Sequence, residues 1–142
     1  TTATAGSAGS VVTLTMSTAS KAGLTLVAYR NATATIAPGA IASSVENSLT
    51  THTAPTVTAP SGAWLLSYWS DKSSWTSGWT TPGDQLLRGT AIGTGSGRIT
   101  SAMVDSGVRV PTPGTWGGQQ ATVDGQASTR AINWTIALSP TP

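Results

Sequence analysis

Residues 63–70 read AWLLSYWS. Side chains along a strand alternate between two faces. Trp64, Leu66 and Tyr68 therefore share one face, and Leu65, Ser67 and Trp69 the other. A strand with one wet face alternates apolar and polar residues, whereas one buried on both faces does not. The stretch thus reads as a central strand, and Trp64, Tyr68 and Trp69 are expected in a core.

The same period of two recurs on both sides of it. In SVVTLTMST (residues 10–18), Val12, Leu14 and Met16 alternate with Thr13, Thr15 and Ser17. In AGLTLVAYR (22–30), Leu24, Leu26 and Ala28 alternate with Thr25, Val27 and Tyr29. QLLRGTAIG (85–93) and GRITSAMVD (97–105) are two more strands around a glycine-rich turn, and QQATVDG (119–125) ends on Asp124-Gly125, a hairpin signal. TRAINWTIALS (129–139) sets Ile132, Trp134, Ile136 and Leu138 against Asn133 and Thr135, so Trp134 is expected in the core. SLTTHTAPTVTAP (48–60) is extended and broken by Pro55 and Pro60, as suits an edge. AIASSVEN (40–47) is the one stretch that reads as a helical turn. The small residues of 1–10 read as a linker or an edge strand, and 140–142 as the start of another linker. About eight to ten short strands at this spacing predict an all-β antiparallel β-sandwich over residues 11–139, jelly-roll or immunoglobulin-like in type.

Composition agrees. The chain has 142 residues, the size of one domain, and only 8% of them are charged, against about 25% in an average soluble protein. Its 16 glycines and 8 prolines punctuate a sequence rich in Thr, Ala and Ser. There is no cysteine, which excludes disulfides, zinc–thiolate sites and thiol catalysis. The net charge is +2, and the seven Lys and Arg are scattered along the sequence, so no nucleic-acid partner is expected. No apolar run approaches the roughly 20 residues of a membrane span, so no membrane partner is expected. A chain beginning at Thr1 and rich in uncharged polar residues is expected to be a processed or excerpted extracellular piece.

Chemistry is sparse. His52 is the only histidine, and the five acidic residues sit beside Gly, Ser or Asn in turn-like segments, where Asp usually caps its own backbone. No G-x-S-x-G elbow occurs, and no loop holds the several carboxylates that calcium needs. The expectation is a non-enzyme without cofactor or metal. Aromatics outside the strands are more informative. Trp75 and Trp79 lie in a polar Ser/Thr/Gly loop and Trp116 lies in GTWGG. Flat exposed indoles can stack on sugar rings while neighbouring hydroxyls bind the sugar, so Trp75, Trp116 and Trp79 are the candidate ligand or partner contacts.

The segments SYWSDKSS (67–74), GSGRITS (95–101) and WTIALSP (134–140), with LTLVAYRNA and THTAPTVTA before them, carry a resemblance. Over about residues 11–140 the chain resembles the C-terminal part of a β-sandwich domain found in large secreted actinobacterial surface proteins and in structural proteins of actinobacterial phages. That resemblance implies a sandwich in an adhesion or carbohydrate-binding setting. It also implies further strands ahead of VVTLTMST, supplied by another segment or a neighbouring subunit. Trp75 and Trp116 fall where such domains are expected to carry Thr and Tyr, so no binding role transfers to them. Two functions follow as expectations. One is an extracellular recognition or adhesion module that contacts glycan or a cell surface. The other is a self-associating structural subunit, such as a phage decoration or tail-fibre protein.

Overall fold

The computed structural model of the chain describes residues 4–33 and 35–141. Ten strands form: β1 Ile41–Glu46, β2 Thr51–Thr53, β3 Val57–Ala59, β4 Trp64–Ser73, β5 Trp79–Thr80, β6 Leu86–Ile92, β7 Arg98–Asp105, β8 Gly114–Trp116, β9 Gln120–Val123 and β10 Arg130–Leu138. Five of them make an antiparallel sheet in the order β1-β10-β4-β7-β6. A second layer consists of β2-β9-β5 and the pair β3-β8. The two layers close on each other as a β-sandwich. β4 lies at the centre of the large sheet, as its sequence predicts.

Residues 40–47 are not helical. Ile41–Glu46 pair along their whole length with Ile136–Ala131 of β10. Ile and Val at alternate positions favour a pleated surface, and a neighbouring strand supplies the hydrogen bonds that an isolated turn lacks. The linker expected over 1–10 falls partly on residues 1–3, outside the described residues, and Ala5–Ser7 form one 3-10 turn. The strands expected at 10–18 and 22–30 are extended but pair with nothing among the described residues.

Strand register assigns every side chain of the large sheet to a face, because directly opposed residues point the same way. One face carries the rows Ser44–Asn133–Trp69–Ala102 and Ala42–Thr135–Ser67–Val104. The other carries Ile41–Ile136–Leu66–Asp105 and Ser43–Trp134–Tyr68–Met103. The first, more polar face is the one that closes the sandwich. Asn133, Thr135 and Ser67 are fully buried, as is Trp69. Trp64, Tyr68 and Trp134 are only half-buried on the outer face, so the expectation that all three belong to the core is corrected.

The inner face accepts polar groups because the second layer offers backbone partners. Asn133 Nδ2 donates to the Thr53 carbonyl at 3.2 Å, and the Thr135 hydroxyl donates to the Pro55 carbonyl. Thr53 ends β2 and Pro55 lies in the β2–β3 connection. Asp71 accepts from the Thr100 hydroxyl and, at 2.7 Å, from that of Thr76. Two apolar clusters flank this polar belt. Leu65, Val57, Ala59 and Ala137 pack at one end with Trp116, and Trp69, Ala102, Val104 and Ala121 pack at the other with Trp79.

Replacing Trp69 by Ala removes a fully buried indole and should cost about 3–5 kcal/mol. Trp134→Ala on the outer face should cost about 1 kcal/mol in the isolated chain. Urea denaturation of the two variants checks the order. Equal losses would contradict the assignment of faces.

Candidate functional site

The three tryptophans singled out by sequence do not form one platform. Trp116 packs beside Leu65 near the start of β4, half-buried. Trp79 is half-buried near the other end. Its Nε1 donates to Thr100 Oγ1 at 2.9 Å, and its ring lies 5.6 Å from the His52 ring. Leu65 and Asp71, which mark those two ends of β4, are about 20 Å apart at the usual rise of a strand. Trp75 alone is strongly exposed, at 60%.

The loop that presents Trp75 is built by short polar side chains. Ser73 Oγ accepts from the backbone N–H of Trp75 at 3.0 Å and of Thr76 at 3.1 Å. Arg98 reaches across from β7 and donates to the carbonyls of Ser74 at 2.8 Å and Thr76 at 3.0 Å. Asp124, beyond β9, accepts from the Ser77 N–H at 2.8 Å and the Ser77 hydroxyl at 2.6 Å. Gly125 is required beside it: a Cβ there would lie 2.7 Å from the Trp75 carbonyl carbon. The loop is therefore fixed, and the indole is held out from a rigid base.

The titratable groups are similarly occupied. The His52 ring is wholly buried, and its Nδ1 lies 3.0 Å from Glu46 Oε2. Glu46 Oε1 also accepts the Thr53 N–H at 3.2 Å. On the outer face, Asp105 Oδ2 is shared by Arg88 Nε at 2.5 Å and the Tyr29 hydroxyl at 2.6 Å. Burial pulls the Asp105 carboxyl upward, but hydrogen bonds from Arg88, Tyr29 and the Gly107 N–H outweigh it and hold the group below its usual range. Burial, then the hydrogen bond and charge of Asp105, push the Tyr29 phenol well above its ordinary value. Tyr29 also packs on Trp64, with ring centroids 5.3 Å apart. These groups pin the chain segment 21–30 to the sheet. No group of three or more His, Cys, Asp or Glu able to hold a metal occurs among the described residues.

That segment shows what sequence reasoning missed. Gly23 lies against Ile99, Ser101 and Ala91, Thr25 against Gly89, and Tyr29 against Asp105, so the segment follows β7 across the outer face. Its other side turns Leu24 and Leu26 to solvent, at 59% and 68% exposure. The earlier stretch leaves Val11, Val12, Leu14 and Met16 exposed as well. The outer face of β1 and β10 exposes Ile41, Val45 and Ile132. Alternation along the chain signals two faces but not which one the fold leaves uncovered.

No family model, curated protein or solved structure matches the chain.

The hydrogen bonds of Ser77 hold the Asp124 carboxyl down at about 2. A carboxyl depressed in the folded state stabilises it at pH above its unfolded value of about 4, and that contribution is lost as pH falls through the folded value. The Ser77 amide should accordingly stay unchanged by NMR from pH 7 to about 4 and then shift with a midpoint near 2. Asp124→Asn should abolish that titration and loosen the Trp75 loop.

Proposed function

We propose that this chain is a non-catalytic, self-associating structural subunit of an extracellular assembly, such as a virion surface or fibre. The observation that carries the reading is a double mismatch in the isolated chain. A large sheet turns its more apolar face outward, and an uncharged segment of strand periodicity, residues 10–18, exposes its apolar side chains and pairs with no strand among the described residues. Soluble monomers rarely leave contiguous apolar surface of this kind open. Unpaired strands tend to be completed by another chain. The occupant that fits is a second copy, because each copy brings both the open face and the unpaired strand. Glycine-rich turns and a low charge suit such a packed assembly.

A second reading is a recognition module. What favours it is Trp75, 60% exposed on a rigidly held loop.

Light scattering across 1–100 µM should show an oligomer or filament. Leu14→Asp and Val45→Asp each place a carboxylate at an exposed apolar position and should return the chain to a monomer, with thermal stability changed by less than about 1 kcal/mol since both positions are exposed. A wild-type chain that stays monomeric throughout this range would overturn the proposal.

A further inference from the structure

Of the seven cations scattered in sequence, three come near one another in the fold. On the outer face, the last row of the register sets Arg130 of β10 directly opposite Lys72 of β4. Like charges directly opposed across a strand pair are destabilising. Lys21, from the segment laid over the sheet, joins them: Lys21 and Lys72 line the same depression, of about 620 Å³. The Lys21 ammonium donates to the Ser96 carbonyl. None of the three pairs with a carboxylate among the described residues, where the ion pairs are His52–Glu46 and Arg88–Asp105. Asp71, their neighbour in sequence, points inward and is consumed by Thr100 and Thr76.

The rest of the depression is built from hydroxyls and one hydrophobic wall. Ser20, Ser74 and Ser96 line it with Ile99. The residue after Ser74 is Trp75, the exposed indole. Gly97 holds a left-handed conformation, φ 57°, and its N–H donates to Ser74 Oγ at 2.8 Å, joining the β6–β7 turn to the Trp75 loop. Arg98 ties the same loop from the other side. The floor is therefore preformed.

We propose that this depression binds an acidic polysaccharide, with Lys21, Lys72 and Arg130 meeting its carboxylate or phosphate groups, the serines its hydroxyls, and Trp75 the flat face of a sugar. The inference rests on the recognition reading of Trp75 and supplies its ligand class. Two cations lining one short depression, with a third opposite Lys72 in the strand register, suit a few anionic sugar units, whereas a nucleic acid calls for a longer cationic track and several stacking aromatics. A cross-strand pair of unneutralised cations is costly to the free protein. That cost is relieved when an anion sits between them.

The test is a titration followed by tryptophan fluorescence and calorimetry in 50 mM salt. The probes are a polyuronate oligosaccharide, a poly(ribitol phosphate), a neutral glucan and a single-stranded oligonucleotide of matched charge. Expected is saturable binding of one or both acidic polymers and none of the glucan. The polyuronate and poly(ribitol phosphate) arms separate a carboxylate ligand from a phosphate one. Lys72→Gln and Arg130→Gln should each weaken binding about fivefold, the loss of one partly screened ion pair. Trp75→Ala should weaken it at least as much. Removing one of two like charges should leave the melting temperature unchanged or raised, so weakened binding is not misread as unfolding. If no glycan binds, both the inference and the recognition reading fail. If a neutral glucan binds through Trp75 with no loss in the charge variants, the inference fails and that reading stands. Tighter binding of the oligonucleotide than of either polymer would also overturn it.

Discussion

The sandwich depends on how β10 meets the second layer. Asn133 and Thr135 point inward, where an apolar core would exclude them, and they find backbone carbonyls at the end of β2 and just after it. Each such bond offsets the cost of burying a polar group, although Asn133 Oδ1 and Ser67 Oγ are buried on the same face without a protein partner. Those bonds lock the small and polar face of the sheet against β2 and β3. Every other feature of the outer surface follows from it. With Asn133 and Thr135 inside, Ile132, Trp134, Ile136 and Leu138 must face away.

The consequence is an unusual division of labour between the two faces. The inner face stabilises the monomer through a modest apolar volume, centred on Trp69 and Leu65, and through a belt of hydrogen bonds. The outer face carries the larger aliphatic and aromatic groups but is only partly covered. The segment 21–30 covers the β7 side, anchored by the contact of Tyr29 and Arg88 with Asp105. The β1–β10 side stays open. An assembly in which copies cover one another would complete burial that the single chain leaves unfinished. Recognition at the loop end of the sheet needs no such covering, because the Trp75 loop is held by Ser73, Arg98 and Asp124 within one chain.

Much of the fold was legible before the structure. β4, β6, β7, β9 and β10 lie where alternation and turn residues placed them, since register-compatible alternation is a local property. β1 was not legible, because Ala, Ser and Glu between Ile41 and Val45 leave only a weak strand signal, and its hydrogen bonds come from pairing with β10. The site was less legible than the fold. Trp75, Trp79 and Trp116 look alike in sequence, each beside small polar residues. Their exposures diverge because Trp79 finds Thr100 and His52, Trp116 finds Leu65, and Trp75 finds no cover. Lys21, Lys72 and Arg130 are too far apart in the chain for any motif to join them.

By itself, then, the sequence determined the class of structure: short alternating strands, turns at Gly, Pro and Asp-Gly, and too few charges or reactive groups for much else. Periodicity states that a strand has two faces and which residues share each. It does not state which face meets a partner, since that depends on groups contributed by distant strands. Tertiary structure decided that polar residues of β10 go inward to meet the carbonyls of the second layer. It also decided that an apolar face is left outside, that Lys21 and Lys72, distant in sequence, line one depression, and that Arg130 stands opposite Lys72.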